Sequence, residues 1–275
     1  MSNPSSSSNG DAAESDAARS YRAVLDCLGA SGVPVLIGGG YAYSCYTGIA
    51  RVTNDLDLFI RRSDYEQLKR VLRAAGYRAE MTYPHWLAKV HLGGSAVVDI
   101  IFGAGNGLAE VDDEWFQHAV GAEVLGLPAA VAPVEETIAS KAFVMERERY
   151  DGGDVAHLVR YQAATMDWQR LLRRFDAHWR VLLAHLTLFG FIYPAERDSV
   201  PAWLMDTLTD RLQRETHTPA PDTRLCAGTL LSREQFLDDI RHRGQLDARL
   251  APHGRMSAAE IAIWTDAIGA SKPKA

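Results

Sequence analysis

The apolar positions of this chain follow two different spacings, one in each part. Up to about residue 130, short apolar runs alternate with amphipathic segments whose apolar residues recur at helical spacing. The predicted strands are 35–37, 56–60, 78–81, 87–92, 96–102 and 122–127. The predicted helices are 12–30, 41–46 and 63–75, the last with Ser63 as its cap. This order predicts an α/β module.

From Pro133 onward the spacing predicts mainly helices. Pro133 suits the first position of a helix that runs to about residue 149. The further predicted helices are 154–164, 167–175, 179–189, 200–215, 233–241 and 258–267. A helical C-terminal module therefore follows the α/β module.

Two carboxylates one residue apart, Asp55 and Asp57, lie at the start of the predicted strand 56–60. Side chains in a strand alternate between faces, so both acids point to one face while Leu56 and Leu58 point to the other. Two acids on one face repel each other. A divalent cation between them removes that repulsion, and Mg²⁺ prefers hard oxygen ligands.

A third acid, Asp99, lies in the middle of the apolar run 96–102. An ionised carboxylate buried in a strand is costly unless it is paired or bound to a metal. If this strand lies beside the Asp55 and Asp57 strand, the three carboxylates form a ligand set for one or two Mg²⁺ ions that act on a nucleoside triphosphate. The alternative is that Asp55 belongs to a turn and that Asp99 pairs with a buried arginine.

These residues resemble the nucleotidyltransferase fold of the DNA polymerase beta superfamily. Its signature is an apolar strand, a glycine turn, a short helix, a strand with Asp-x-Asp, and a third Asp on a later strand. The closer likeness is to a small bacterial branch with abortive-infection toxins and antibiotic nucleotidyltransferases, which segments 39–42 (Gly-Gly-Tyr-Ala) and 51–57 (Arg-Val-Thr-Asn-Asp-Leu-Asp) match. The resemblance implies a mixed sheet flanked by helices. It also implies that Asp55 and Asp57 hold the nucleotide-bound Mg²⁺, while Asp99 helps to hold a second ion and acts as the base.

Several residues around the acids are candidates for binding the triphosphate. Gly38, Gly39 and Gly40 lack the Cβ that would obstruct a close approach between backbone and phosphate. Arg51 is suited to neutralise a phosphate and Thr53 to donate its hydroxyl. A structural ion pair or a strand-edge contact is the alternative for each of these two residues.

Lys141 matches the lysine that the resembled branch places on a helix facing the triphosphate. The alternative for Lys141 is solvent exposure. The segment around Asp151 and Asp154 is similar to the Arg-x-x-x-Asp-x-x-Asp run that follows this lysine in the same branch. Asp154 alternatively caps its helix.

The composition narrows the class of protein. The chain has 275 residues, of which 47% are hydrophobic, and its net charge is −6, which argues against a protein that coats nucleic acid. Three cysteines make a disulfide framework improbable and favour a reducing cytoplasm. No apolar stretch approaches the roughly twenty residues of a membrane helix. A solvated helical face is expected for the arginines at 170, 173, 174 and 180 and for Arg147 and Arg149 nearby, with a local basic patch as the alternative.

We divide the chain into a disordered tail (1–12), a nucleotidyltransferase catalytic domain (13–130), a helical domain (131–218) and a C-terminal helical extension of unknown role (219–275). The expected function is Mg²⁺-dependent transfer of a nucleoside monophosphate from ATP or another triphosphate to a hydroxyl or phosphate acceptor. The acceptor is a small molecule, a protein or a tRNA. The alternative is a catalytically silent nucleotide-binding module or one partner of a toxin–antitoxin pair, which loss of an acid would favour.

Overall fold

The computed structural model describes residues 16–51, 53–94 and 96–270, the last four as backbone only. The predicted tail at 1–12 lies outside this part of the chain. The helices are α1 (Asp16–Ser31), α2 (Gly39–Thr47), α3 (Tyr65–Ala74), α4 (Asp113–Gln117), α5 (Val134–Ala142), α6 (Gly152–Gln162), α7 (Trp168–Phe175), α8 (Trp179–Ile192), α9 (Ala202–Thr216), α10 (Leu237–Arg241) and α11 (Ala258–Ala270). None of the helices in the described ranges has the length and apolar character needed to cross a membrane.

The strands form one large mixed sheet and one small sheet. They are β1 (Leu36–Ile37), β2 (Asp55–Phe59), β3 (Ala79–Tyr83), β4 (Leu87–Gly93), β5 (Ala96–Ile101), β6 (Val120–Val124), β7 (Leu127–Val131), β8 (Leu225–Cys226) and β9 (Leu246–Asp247). The large sheet has seven strands in the order β3-β4-β5-β2-β1-β7-β6. Within it β2 pairs with β5 and β1 with β7 in parallel, and the other neighbours are antiparallel. The mixed α/β fold predicted from the sequence is confirmed.

One face of the large sheet carries the main core of the α/β part. The side chains of Leu56, Leu58 and Ile60 are fully buried there, in a cluster that includes residues of α1 and α3 such as Leu28 and Leu68. The alternation of β2 sends Asp55 and Asp57 to the opposite face. Burial of one face of β2 therefore fixes which way its two acids point.

The second core joins α2 to the helices that follow the sheet. Tyr43 of α2 is buried with Leu158, Leu171 and Leu182 from α6, α7 and α8. Tyr46 of α2 makes two hydrogen bonds to the segments that follow the sheet. Its hydroxyl donates to the Ala132 carbonyl at 2.7 Å, and its carbonyl accepts from the Gln162 side chain at 2.6 Å. The helical module is thus held against the end of the sheet where the acids lie.

Arg170 of α7 is buried and 3% exposed, which makes the predicted solvated face wrong at this position. Its guanidinium pairs with both Glu135 and Glu136 in the first turn of α5. Arg174 continues the network to Glu136 at 2.8 Å and to Asp112 at 2.9 Å. A buried cation of this kind requires such partners. Sequence spacing alone did not reveal that the paired glutamates of α5 supply them.

Other element predictions need correction. The helix expected over 133–149 ends at Ala142, and Pro133 is its cap instead of its first residue. The single strand expected at 122–127 is a hairpin of β6 and β7, which Leu125 and Gly126 close with φ values of 54° and 74°. Ser63 caps nothing: it lies in a 3-10 turn that ends at Asp64, before α3 begins. Helix α4, which Asp112 caps, was not predicted.

The segment after α9 contacts both the sheet and the helical module. Leu230 accepts a hydrogen bond from Asn106 at 2.9 Å, in the loop that follows β5. Ser232 donates to Glu146 at 2.9 Å, in the loop between α5 and α6. Trp264 of α11 stacks edge-on against Trp86. The division into domains at 130 and 218 stays a prediction.

Candidate active site

The three predicted acids come together on one face of the sheet. β2 and β5 are parallel neighbours with Asp57 directly opposite Asp99 in their register. Asp55 is two residues earlier on the same face of β2. One oxygen from each of the three carboxylates lies within 4.8 Å of the other two. This spacing matches a set of oxygen ligands around a small divalent cation.

Burial and mutual repulsion make the negative charge of this cluster costly. Burial, together with the charges of Asp55 and Asp99, raises the pKa of Asp57 to about 7. Burial also raises the pKa of Asp99, against the opposing effect of Lys89. Two carboxylates whose pKa values rise together indicate a place where a positive charge is needed.

Lys89 supplies part of that charge. It lies on β4 directly opposite Asp99 in the antiparallel register. Its Nζ donates to both carboxylate oxygens of Asp99, at 2.6 Å and 2.8 Å. The alternative in which Asp99 pairs with a buried arginine is therefore wrong about the residue type, but Asp99 does have a cationic partner.

The glycine turn lies directly against the acid strand. A Cβ on Gly39 would come within 1.6 Å of the Asp57 carboxylate, and the φ of Gly39 is +54°. A Cβ on Gly38 would enter the ring of Phe59 at 2.0 Å, and one on Gly40 would lie 3.1 Å from Thr53. In the structure, side chains of β2 fill the space beside Gly38 and Gly39, and Thr53 fills the space beside Gly40. The sequence suggested that phosphate would approach the backbone here. α2 begins at Gly39, so the positive end of its dipole lies beside Asp57.

Thr53 and Arg51 have defined partners. The Thr53 hydroxyl donates to the Asp55 carboxylate at 2.5 Å, which holds the orientation of that acid. Arg51 pairs with Asp154 at the start of α6, and its guanidinium lies 5.4 Å from the centre of the Tyr43 ring. The Arg51 contact is the structural ion pair given as its alternative, and a role of either residue in binding the triphosphate stays a prediction.

Lys141 is not solvent-exposed, because its side chain is only 12% accessible. Its Nζ lies 2.7 Å from Asp154 and 3.4 Å from Asp151. Arg149 also bonds Asp151 through two nitrogens, at 2.9 Å and 2.8 Å. Lys141 and Arg149 are both close enough to the acid cluster to counteract the rise in the pKa of Asp57. Asp154 belongs to this ion-pair cluster and lies in the first turn of α6, whose N-cap residue is Asp151 instead.

Sequence reasoning did not single out Lys89, and it assigned Arg149 to a solvated helical face and not to the surroundings of the acids. A signal for Lys89 was present: in the predicted strand 87–92, Ala88 and Val90 alternate with it, which places Lys89 on the face opposite the core. Its partner Asp99 follows from the hairpin register only. Arg149 lies in the loop between α5 and α6, where no periodicity applies.

A mixed sheet that presents three converging aspartates beside a glycine turn and a helix N-terminus is the arrangement that the resemblance to nucleotidyltransferases implies. A family model described as "Uncharacterised nucleotidyltransferase" matches residues 11–189, which is more than half of the chain. The chain belongs to this family.

The solved structures to which this chain is similar include other nucleotidyltransferases. The antibiotic-resistance factor ANT(2'')-Ia is 18% identical, with 73% of this chain and 95% of that chain covered and a TM-score of 0.37. The lincosamide antibiotic adenylyltransferase LnuA, bound to lincomycin, is 14% identical over 51% of this chain and 94% of that one, with a TM-score of 0.38. JHP933 from Helicobacter pylori is 13% identical over 74% and 96%, with a TM-score of 0.38. No curated protein matches this chain.

Proposed function

We propose that this protein is a Mg²⁺-dependent nucleotidyltransferase that moves a nucleoside monophosphate from a nucleoside triphosphate to a hydroxyl or phosphate acceptor. The observation that carries the proposal is the convergence of Asp55, Asp57 and Asp99, whose ligand oxygens lie within 4.8 Å of one another. Membership of a nucleotidyltransferase family supports the class of reaction. The metal, the triphosphate and the acceptor are our inference.

The residues present fit a magnesium ion. All three candidate ligands offer carboxylate oxygens, which suit Mg²⁺ better than the nitrogen and sulfur donors of zinc sites. Burial and the charges of Asp55 and Asp99 raise the pKa of Asp57, so a bound cation would favour its ionised form. When bound, Mg²⁺ neutralises triphosphate charge and orients the α-phosphate for in-line attack.

We assign separate roles to Asp99 and to the residues around the acids. Thr53 orients Asp55 through its hydroxyl. The N-terminus of α2 at Gly39 offers backbone N–H groups to phosphate oxygens next to Asp57. We assign to Asp99 the acceptance of the proton of the attacking hydroxyl, which is the role that the family resemblance implies.

Lys141 and Arg149 are the cations that we assign to the triphosphate. Each is already bonded to a carboxylate, Lys141 to Asp154 and Arg149 to Asp151. These acids hold the two cations beside the cluster, and both cations retain N–H donors for phosphate. We expect the contribution of Arg51 to be indirect, through its ion pair with Asp154.

A transfer assay tests the proposal. Purified protein with MgCl₂ is incubated with each of four α-³²P-labelled triphosphates and with tRNA, cell protein, aminoglycosides or lincosamides as acceptor. We expect a labelled product in one combination, and we expect its loss in EDTA and in Asp55→Asn/Asp57→Asn protein. The matched control is Asp26→Asn, which changes an exposed acid of α1. Label transfer that survives the double substitution would refute the assigned site.

A further inference from the structure

Lys89 is in direct contact with the acid cluster, and neither the family resemblance nor the proposed function uses it. Its ammonium spans the Asp99 carboxylate, with one contact to each oxygen. The side chain of Asp99 is 12% exposed and that of Lys89 is 31% exposed, so the pair is partly shielded from solvent. Charges interact more strongly in such a setting than at an open surface.

The position of Lys89 is fixed by the sheet. β4 and β5 pair with Lys89 opposite Asp99, while Ala88 and Val90 on either side are fully buried in the core. A one-residue shift of β4 would place Lys89 in the core, so the register holds its side chain on the acid face. Its contact with Asp99 is thus a consequence of the fold.

The charge balance of the cluster matches one divalent ion together with one ammonium. Three carboxylates converge, and Lys89 neutralises one of them at contact distance. The other cations nearby, Lys141 and Arg149, are bonded to acids of their own. A second divalent ion beside Asp99 would meet the Lys89 ammonium at neighbouring oxygens, where like charges repel strongly.

We propose that Lys89 takes the place of a second metal ion at Asp99, so that the resting site binds one divalent cation, through Asp55 and Asp57. Lys89 is in this view a positioning residue: it holds Asp99 toward the other acids and excludes a further dication. The inference rests on the proposed function, because it assumes that the acid cluster binds a metal.

Mn²⁺ binding tests the inference without reference to activity. The amount of bound Mn²⁺ is measured by EPR in the full-length protein and in Lys89→Met, which keeps the length of the side chain and removes its charge. We expect one ion per wild-type chain. We expect Lys89→Met to bind a second ion with at least tenfold higher affinity than wild type, and to show the spectral broadening of two neighbouring Mn²⁺ ions.

Three further variants make the outcome specific. Lys69→Met removes an exposed lysine of α3, and it should bind Mn²⁺ as wild type does. Lys89→Arg keeps the charge and should restore a single ion. Lys89→Met/Asp99→Asn removes both partners, avoids an unpaired buried carboxylate and should also bind one ion, which covers the case in which Lys89→Met does not fold.

The results separate this inference from the proposed function. Two ions of similar affinity in wild type, or an unchanged second affinity in Lys89→Met, would overturn the role of Lys89 and leave the metal site intact. If Asp55→Asn/Asp57→Asn protein binds Mn²⁺ as wild type does, both the inference and the proposed metal site are wrong.

Discussion

Removal of one charge from the acid cluster should stabilise the metal-free protein. Burial and the neighbouring acids raise the pKa of Asp57 from 3.8 to about 7. The folded chain therefore holds a proton that the unfolded chain releases between these two pH values, and the free energy of unfolding falls as the pH rises through this window. Asp57→Asn keeps the shape of the side chain and removes the charge, so it should abolish this loss.

The size of the effect follows from the pKa shift. A shift of about three units, at roughly 1.4 kcal/mol per unit, gives an upper bound of about 4 kcal/mol at pH 8. Solvent screening at a partly exposed side chain reduces this, so we expect a gain of about 2–4 kcal/mol. At pH 5 most of the Asp57 side chains of wild type are already protonated in the folded state, and the gain should fall to about 2 kcal/mol or less.

Urea unfolding in EDTA, followed by tryptophan fluorescence at pH 8 and pH 5, measures the difference. Millimolar Mg²⁺ should then raise the stability of wild type and leave Asp57→Asn unchanged, because only a chain that binds the ion gains from it. Asp26→Asn is the matched control and should follow wild type throughout. A variant that is less stable than wild type at pH 8, or a difference that does not change with pH, would refute the electrostatic reasoning.

Two more substitutions address the backbone and the buried network. Gly39→Ala should weaken Mn²⁺ binding at least tenfold in a titration, because the new Cβ would collide with the Asp57 carboxylate and the φ of this residue is positive. The control is Gly29→Ala, in open space on α1. It should bind Mn²⁺ normally and be up to about 1 kcal/mol more stable than wild type. Normal binding in Gly39→Ala would contradict the assigned contact. Arg170→Met should lower the free energy of unfolding by about 3–5 kcal/mol, because it leaves Glu135 and Glu136, both buried, without their shared partner. The control is Arg173→Met, which changes an exposed arginine of the same helix and should change the free energy of unfolding by less than about 0.5 kcal/mol. Equal effects of the two arginine substitutions in urea unfolding would show that the network does not contribute.

The fold was predictable where a local pattern carries the information. The alternation of β2 is complete within five residues, so the common face of Asp55 and Asp57 followed from the sequence. The position of Asp99 in an apolar run required a partner, and its place beside β2 followed only from the family resemblance. In each case one face of the strand had to be buried in the core while the other carried an acid, which leaves very few possible orientations for the strand.

The missed features depend on partners that are distant in the chain. The contact of Lys89 with Asp99 needs the register of β4 on β5, and the burial of Arg170 needs α7 to pack on α5. The hairpin at Leu125 was missed because a non-glycine residue adopts a positive φ there, which sequence reasoning assigns to glycine. The contact of the glycine turn with Asp57 was also missed, since it depends on the packing of β2 beside Gly39, and the phosphate-binding role of the turn stays a prediction.

The central claim is that Asp55 and Asp57, with Asp99 beside them, form a cation site next to the glycine turn. A crystal of the protein soaked in MnCl₂ with a non-hydrolysable nucleoside triphosphate, and measured for the anomalous signal of manganese, tests it most directly. We predict a peak within ligand distance of the Asp55 and Asp57 carboxylates, with the triphosphate beside the N-terminus of α2. A manganese peak elsewhere, with those carboxylates bound only to water, would contradict the account.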